Sequence, residues 1–238
     1  DCVLGVRLIN GLGQHLKFGG EVMKNVAGYD LSRLSVGAYG TLGILTEISV
    51  KVLPIPELEQ TQRLECSQAE ALERLVRIGR RPYPISAAAW IQGALSMRLS
   101  GAASGVASAA SAIGGESLPD SESFWAGLRD LSSTEFQEDG RWLWRLSVAP
   151  TTPVNAIDAF CFDWAGGQRW VMTDPDDDSP FDIASKCGGH AICFAQNRSA
   201  GTGMQPLGPG ILSLNQRIKD AMDPHGLINR GRLLGGTH

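Results

Sequence analysis

The chain has 238 residues, of which 43% are hydrophobic and 19% charged, and its formal net charge at pH 7 is −4. A globular chain of this length can hold a core without disulfides or metal ions, and it has room for two structural units. Because the balance is acidic and the longest basic run is Arg80-Arg81, nucleic acid and anionic membrane surfaces are poor candidate partners.

The first part of the chain predicts a β-hairpin followed by one further strand. Residues 3–9 are mostly apolar and β-branched, Asn10-Gly11 supplies a turn, and residues 15–18 return as the second strand. The chain opens in what reads as a strand rather than a signal peptide, so we expect a piece of a longer protein. Residues 44–53 alternate with the period of a half-buried strand, and the prolines after it predict a domain boundary near residue 57.

The middle of the chain, residues 58–200, predicts an α+β domain with antiparallel strands. The predicted strands are 60–66, 87–92, 95–99, 142–148, 160–164, 168–173 and 190–195, and the predicted helices are 67–78, 106–113, 121–131, 153–159 and 181–187. Residues 201–210 form a Gly- and Pro-rich linker. A last helix, ended by Asp223-Pro224-His225-Gly226, completes a segment, 201–238, that returns to the first domain.

The number and spacing of the cysteines and the length of the uncharged runs exclude further classes of protein. Five cysteines without a CxxC pair argue against a disulfide framework, a zinc ribbon and an iron–sulfur cluster, and favour reduced thiols in the cytoplasm. The uncharged stretch over residues 99–115 is rich in small residues and too short for a bilayer. No transmembrane helix is therefore predicted.

Glycines are dense between Gly19 and Gly43. Glycine permits positive φ and lets the backbone approach a ligand, so such a loop can present N–H groups to phosphates or to a flat ring. A set of tight turns without a ligand is the alternative. The last glycines precede a strand rather than join a strand to a helix, and no GxxxxGK[ST] occurs, so neither a Rossmann turn nor a Walker loop fits.

Two motifs carry a family resemblance. The run Lys24-Asn25-Val26-Ala27-Gly28-Tyr29-Asp30-Leu31-x-Arg33-Leu34, with Gly40-Thr41-Leu42-Gly43-Ile44-x-Thr46-Glu47, resembles FAD-linked oxidases of the vanillyl-alcohol oxidase type. The tail Arg217-Ile218-Lys219-x3-Asp223-Pro224-x-Gly226-Leu227-Ile228-Asn229-x-Gly231 resembles the C-terminal signature of the same family. Within it, the smaller FAD-binding (E-type) subunits of bacterial glycolate oxidases are the most similar, over essentially the whole chain.

The resemblance implies a fold and a set of cofactor contacts. Residues 1–57 would be the second part of a PCMH-type FAD-binding domain, 58–200 an antiparallel-sheet α+β cap domain, and 201–238 the returning linker, helix and tail. The implied FAD-binding residues are Lys24, Asn25, Tyr29, Gly37, Gly40, Thr41, Gly43, Ile44 and Asn229. As alternatives, Asp30 could only cap the helix that starts at Leu31, and Tyr29 could belong to the core.

Two departures from the family pattern limit what is implied. The N-terminal FAD subdomain, with its pyrophosphate-binding loop, has no counterpart here, so we expect this chain alone to bind FAD weakly or not at all. The histidine-rich metal motif of related 2-hydroxyacid dehydrogenases is reduced to His190, so no metal site is predicted. His190 is expected to be a packed or strand-edge residue, with a substrate or partner contact as the alternative. No catalytic base is identified.

The function implied by the resemblance is that of an accessory FAD-binding subunit in a glycolate oxidase complex. It would take part in oxidation of glycolate to glyoxylate, or relay electrons between a larger flavin subunit and an iron–sulfur subunit. The implied location is the cytoplasm, alone or at the inner membrane through partner subunits. The alternatives are a non-catalytic docking subunit with a vestigial flavin site, to which the six tryptophans lend weight as interface anchors, and an independent oxidase of another 2-hydroxy acid.

Overall fold

The computed structural model of the chain describes residues 2–21, 29–194 and 202–234. The chain divides into two compact units. Unit 1 consists of Asp1–Pro54 and Ala200–His238, and unit 2 of Ile55–Ser199.

Unit 1 contains a three-stranded antiparallel sheet. Its strands are β1 (Val3–Ile9), β2 (His15–Gly19) and β3 (Ile44–Val50), in the order β2-β1-β3. The predicted hairpin is confirmed: the Asn10 side chain accepts hydrogen bonds from the amides of Leu12 and Gln14, which closes the turn between β1 and β2. The helices of this unit are α1 (Leu31–Leu34) and, near the C-terminus, α6 (Pro209–Met222).

Strand β3 is present as predicted, but the expectation that it is half-buried is wrong. All of its residues except Ser49 are exposed. The reason is its position, because β3 forms one edge of the sheet and α1 packs against β1 and β2 instead. The alternating apolar residues therefore mark a strand that no described element covers within unit 1.

Unit 2 is built on an eight-stranded sheet in which every pairing is antiparallel. The strands are β4 (Leu58–Glu65), β5 (Ile85–Ile91), β6 (Ala94–Gly101), β7 (Glu116–Ser117), β8 (Trp142–Ser147), β9 (Cys161–Asp163), β10 (Gln168–Thr173) and β11 (His190–Cys193), in the order β11-β8-β10-β9-β5-β6-β4-β7. Its helices are α2 (Gln68–Ile78), α3 (Ala103–Ile113), α4 (Ser121–Asp130) and α5 (Ser179–Lys186). The predicted α+β class with antiparallel strands is confirmed.

The helices of unit 2 cover the two faces of the sheet unequally. On one face, α2, α3 and α5 bury side chains such as Trp144, Met97 and Leu99. The other face carries α4, whose Leu128 packs with Trp170 and the 3₁₀ turn Thr134–Phe136. Since α4 is only ten residues long, much of this second face is left for a cavity, described below.

The prediction of a helix over residues 153–159 is wrong. Only a 3₁₀ turn, Val154–Ala156, forms there. Ile157 and Ala159, two residues apart, are both buried in the core against α5. Residues spaced by two share one side of an extended backbone and not of a helix, so packing here selects the extended form.

The tryptophans and His190 lie as follows. Trp142, Trp144 and Trp170 are buried core residues, whereas Trp164 is 75% exposed. His190 begins the edge strand β11 and is exposed, which is the strand-edge position expected of it.

All five cysteines are free thiols. Among residues 2–21, 29–194 and 202–234, no helix combines the length and the apolar character that crossing a membrane requires.

Removing the capping box of α2 tests how much this local sequence motif contributes to the free energy of unfolding. The Ser67 hydroxyl caps the amide of Glu70, whose carboxylate in turn accepts from the Ser67 amide at 2.8 Å. Ser67→Ala is expected to lower the free energy of unfolding by about 1 kcal/mol, measured by urea denaturation. Ser104→Ala, the same change at an exposed position inside α3, is the control and should alter it by less than about 0.5 kcal/mol. Equal effects from both would contradict the role of the cap.

Candidate functional site

The glycine-rich loop between α1 and β3, residues 35–43, has an unusual backbone. Gly37, Tyr39 and Gly40 all have positive φ, at 76°, 51° and 69°. Helix α1 leads into it and begins at Asp30, whose carboxylate accepts hydrogen bonds from the Arg33 amide and the Ser32 hydroxyl. These two bonds hold the pKa of Asp30 below its ordinary value. Asp30 thus has the capping position that the sequence offered as one alternative.

The amides of this loop divide into two groups. Those of Ala38 and Thr41 donate within the loop, to the carbonyls of Ser35 and Ala38. Within the described part of the chain, no hydrogen bond is found from the amides of Gly37, Tyr39 and Gly40, and these three residues are exposed. The loop therefore presents several backbone donors outward, which is what a negatively charged or ring-nitrogen ligand requires.

The C-terminal tail holds this loop from behind through a buried ion pair. Lys219, on α6, donates from Nζ to the Asp223 carboxylate at 2.5 Å and to the carbonyls of Thr41 and Ile228 at 2.8 and 2.9 Å. Asp223 is 2% exposed and also accepts from the amides of Leu227 and Ile228. Helix, tail turn and glycine loop are thereby joined in one network.

The charge state of Asp223 follows from the same contacts. Burial acts to raise its pKa, but the hydrogen bonds from Lys219 and from the amides of Ile228 and Leu227 outweigh it and hold the pKa below the ordinary value. The carboxylate is therefore ionised at neutral pH, and Lys219 is its counter-charge.

Asn229 makes a second contact between the C-terminal tail and the glycine-rich loop. Its Nδ2 donates to the Tyr39 carbonyl at 2.6 Å. A Cβ placed on Gly40 would lie 2.9 Å from the same Nδ2, and the φ of 69° at this position also favours glycine. Asn229 itself has a φ of 41°, which shows that the tail turns sharply at this contact.

The glycines of the loop have different reasons for being glycine. At Gly43 a Cβ would lie 2.8 Å from the Leu8 side chain and 2.9 Å from the Ile9 carbonyl, so this glycine is explained by packing on β1. At Gly37 nothing lies within 4 Å of a Cβ, and its only structural requirement is the positive φ. Gly37 therefore faces open space, where a ligand has room to approach.

Two small cavities flank the loop inside unit 1. One of about 290 Å³ is lined by Thr41, Lys219 and Asn229, among others. Another, of about 200 Å³, is lined by Val36, Gly37 and Leu42, among others. Both open beside the segment whose amides are unpaired.

The structure brings only some of the predicted cofactor-binding residues together. Gly37, Gly40 and Thr41 lie in the loop, and Asn229 contacts it. Gly43 is buried against β1, whereas Ile44 and Tyr29 are exposed, the latter by 94%. Thr41 uses its hydroxyl to donate to the Ala38 carbonyl at 2.7 Å. Lys24 and Asn25 fall outside the described residues.

Lys219 and Asp223 were not predicted as functional residues. Both stand in the tail motif, at a spacing of four that puts them on the same side of α6. That spacing was a usable signal for an ion pair. The hydrogen bond from Lys219 to the Thr41 carbonyl, 178 positions away in sequence, could not be predicted from that spacing.

Comparison with known proteins gives a consistent set of relatives. The chain is 43% identical over 235 residues to glycolate oxidase subunit GlcE of Escherichia coli, a match that covers 98% of this chain and 65% of that protein. It is 49% identical over 61 residues to glycolate oxidase subunit GlcD of Bacillus subtilis, covering 26% of this chain and 13% of that protein. No family model matches. The chain thus spans just under two thirds of the length of its GlcE relative.

The fold also has a counterpart among solved structures. An alkyldihydroxyacetonephosphate synthase matches with a TM-score of 0.57 and 16% sequence identity, covering 95% of this chain and 52% of that one. At this identity the match establishes a shared fold. The observed antiparallel α+β architecture agrees with the sequence expectation.

Replacing the buried carboxylate tests the network that holds the loop. Asp223→Asn is expected to lower the free energy of unfolding by about 3 kcal/mol at neutral pH, because Lys219 loses its counter-charge. Since the folded pKa lies below the unfolded one, the wild-type contribution is present above about pH 4 and is lost as the pH falls through the folded pKa. The variant should lack this part of the acid dependence.

The control is Asp220→Asn, an exposed carboxylate on the same helix that bonds only Gln216 among the described residues. It should change the free energy of unfolding by less than about 0.5 kcal/mol. Urea denaturation across a pH series gives both numbers. An Asp223→Asn protein as stable as the wild type at neutral pH would contradict the account.

Proposed function

Because the chain belongs to the FAD-linked oxidases that include the GlcE subunits, we propose that it is an accessory FAD-binding subunit of a glycolate oxidase-type complex. In this proposal unit 1 is the second part of the FAD-binding domain, with the returning tail, and unit 2 is the cap domain. The reaction served is oxidation of glycolate to glyoxylate, either directly or by electron relay. The whole-chain likeness to GlcE supports this assignment.

One observation carries the cofactor assignment. The exposed loop holds the amides of Gly37, Tyr39 and Gly40 without hydrogen bonds among the described residues, and the network behind them is fully formed. Contacts with α6 and the tail fix one side of the loop, and the amides on its other side are exposed. The loop is therefore preorganised for a ligand, since binding would cost little further loss of conformational entropy. Backbone donors of this kind suit the polar edge of a flavin or a phosphate.

The proposed division of chemistry is simple. FAD, when bound, supplies an acceptor for the electron pair removed from the substrate. The chain's own residues position it: Gly37 and Gly40 would face it, Thr41 and Asn229 would hold those glycines in place, and Lys219 with Asp223 would support both. Lys24 and Asn25, Tyr29, Gly43 and Ile44 remain predicted contacts.

The affinity of this chain alone is expected to be low. FAD carries two charged phosphates, and each hydrogen bond to such a group is worth about 1.5–3 kcal/mol. The loop at 37–44 supplies few such donors. The remaining third of the GlcE length that the chain does not match is where we expect a phosphate-binding loop.

The proposed partners follow from the same relatives. A larger flavin subunit, of the kind named GlcD, would share the complex, and an iron–sulfur subunit would accept the electrons. The short GlcD match supports a common flavin-binding segment in the two kinds of subunit. The small-molecule substrate would be a 2-hydroxy acid.

A second candidate function is that of a docking subunit with a vestigial flavin site. The exposed apolar side chains of β3, including Ile44, Ile48 and Val50, favour it, because an edge strand of this kind is a ready interaction surface. Visible absorbance of the natural protein that contains this sequence, with release of FAD on denaturation, separates the two candidates. A colourless protein that takes up no added FAD would support docking alone.

Two glycines allow a matched test of the flavin contact. Gly37 and Gly13 have nearly the same φ, 76° and 74°, and a Cβ added at either would have no atom within 4 Å, but Gly13 lies in the β1–β2 turn. Alanine at either position should cost about 1 kcal/mol of stability through backbone strain. Only Gly37→Ala should also weaken FAD binding, by about tenfold or more, since its methyl group would stand between the loop and the ligand.

The measurement is FAD affinity and bound-flavin absorbance of the natural protein and both variants. Equal losses of stability with unequal losses of FAD would support the contact. If Gly37→Ala retains as much flavin as Gly13→Ala, the assignment of this loop is wrong.

A further inference from the structure

A large open cavity lies on the α4 face of the unit 2 sheet. Its volume is about 1330 Å³. We call it the α4-side cavity, and the lining residues used below are Arg98, Arg129, Arg145, Asp163, Trp164 and Trp170. None of these residues has a role in the function proposed above.

Arg145 is held in the cavity by aromatic rings rather than by a carboxylate. Its guanidinium carbon lies 5.9 Å from the centre of the Trp170 ring and 5.4 Å from that of Phe194. Its Nε is buried without a hydrogen-bond partner, and no carboxylate lies within salt-bridge distance among the described residues. The group is therefore fixed in place without a carboxylate bonded to it, and the charge of Asp163 acts on it only across a longer distance.

The other two arginines of the cavity already have oxygen partners. Arg98 donates to the Ser86 hydroxyl at 2.9 Å and lies over Trp125, and Arg129 makes two bonds of 2.8 Å to Asp130. A ligand oxygen entering the cavity would thus find its open guanidinium at Arg145. Such a group selects carboxylates because its planar fork matches their geometry.

Two more buried polar groups lie on the same face, and they act on each other: Trp170 donates toward the Asp163 carboxylate and lowers its pKa, although no hydrogen bond within 3.5 Å joins them. They are Oδ1 of Asp163 and Nε1 of Trp170, and Trp170 is only 4% exposed. The strand register explains the grouping, because Trp170 on β10 lies directly opposite Arg145 on β8, and Asp163 on β9 lies opposite Gln168 on β10. Buried polar atoms without hydrogen-bond partners are rare in folded proteins, and Arg145 Nε, beside an indole N–H and a carboxylate that share only a long contact, points to a ligand in the cavity.

The turn that follows Asp163 is strained. Trp164, Ala165 and Gly166 have consecutive positive φ values of 49°, 54° and 87°. Arg169, which is fully buried, holds the turn by donating to the Gly166 and Thr152 carbonyls. Left-handed backbone at non-glycine residues costs about 1 kcal/mol each and persists where the surroundings enforce it. Here it sets the exposed Trp164 side chain at the cavity.

We propose that the α4-side cavity binds a small organic carboxylate at Arg145, and that Asp163 takes up a proton when the carboxylate enters. The proton is needed because an ionised Asp163 would repel a second carboxylate on the same face. Once neutral, Asp163 can donate a hydrogen bond to the ligand, as Trp170 Nε1 can. The bound anion would then supply the hydrogen-bond partner that Arg145 Nε lacks, and it would accept from Trp170 Nε1 at a shorter distance than Asp163 does.

The electrostatic setting of Asp163 is consistent with proton uptake near neutral pH. Burial raises its pKa to about 6, against the opposing effect of Trp170 and Arg145. The remaining charged groups that line the cavity come from β4, β6 and the α4 region, and they are Glu59, Arg98, Asp120, Glu122 and Arg129. Arg98 and Arg129 have oxygen partners of their own, and the charge of Arg145 acts on Asp163.

The test is a binding titration on the chain without flavin. Glycolate is the probe, ethylene glycol is the neutral control of similar size, and the readout is the fluorescence of Trp164 and Trp170 with calorimetry as a check. Glycolate should bind saturably at about pH 5 and at least about tenfold more weakly at about pH 8, and ethylene glycol should not bind.

Four variants sharpen the test. Arg145→Gln should lose about 100-fold in affinity, while Arg77→Gln, an exposed arginine on α2 and no part of the cavity, should bind like the wild type. Asp163→Asn should bind at about pH 8 as tightly as the wild type does at about pH 5, with the pH dependence gone. If Arg145→Gln does not fold, Arg145→Lys, which keeps the charge and loses the fork, should bind about tenfold more weakly.

The proposal is overturned if folded wild-type chain gives no saturable glycolate signal at about pH 5, if Arg145→Gln binds unchanged, or if binding does not depend on pH. It rests on the proposed function only for the choice of glycolate. Because flavin plays no part in the titration, a protein that binds FAD but no glycolate would overturn this inference and leave the proposed function standing. The reverse result would overturn only the proposed function.

Discussion

The buried carboxylate of Asp223 organises the part of unit 1 on which the proposed function depends. It accepts hydrogen bonds from Lys219 and from two tail amides, and Lys219 passes the connection on to the Thr41 carbonyl. Gly11 makes the arrangement sterically allowed, since a Cβ there would collide with the carboxylate. The hairpin turn, the last helix, the tail and the glycine loop are thus fixed by one charged group. An unpaired charge at that depth would be costly, so Lys219 and Asp223 must act together.

This arrangement separates the two sides of the glycine loop. Toward the interior, Thr41 and the Tyr39 carbonyl are engaged by α6 and Asn229. Toward the outside, the amides of Gly37 and Gly40 have no partner among the described residues. Unit 2 shows a related pattern on its α4 face, where strand register places Arg145 beside Trp170 and Arg145 Nε has no hydrogen-bond partner among the described residues. In both units a rigid support presents unfilled hydrogen-bonding groups, which is the physical basis of both proposals.

Much of the fold could be predicted because its signals are local. Asn10-Gly11 predicts the hairpin, and Ser67-x-x-Glu70 predicts the start of α2. What could not be predicted depends on contacts distant in sequence. Residues 157–159 are extended rather than helical because the core buries both Ile157 and Ala159. Position 43 requires glycine because β1 lies too close for a side chain. The hydrogen bond from Lys219 to the Thr41 carbonyl, and the position of Arg145 and Asp163 around one cavity, arise only when the tail folds back and the strands align. The glycines and the family motif singled out the glycine loop as a candidate site, but they did not indicate how α6 and the tail hold it.

The central claim is that the bare amides between Gly37 and Ile44 contact the flavin. Hydrogen–deuterium exchange of the natural protein, with and without saturating FAD, tests it most directly. The account predicts that the amides of Gly37, Tyr39 and Gly40 exchange fast without FAD and become protected when it binds, while the Thr41 amide, already bonded to Ala38, changes little. Saturation with FAD that leaves exchange across this loop unaltered would contradict the claim.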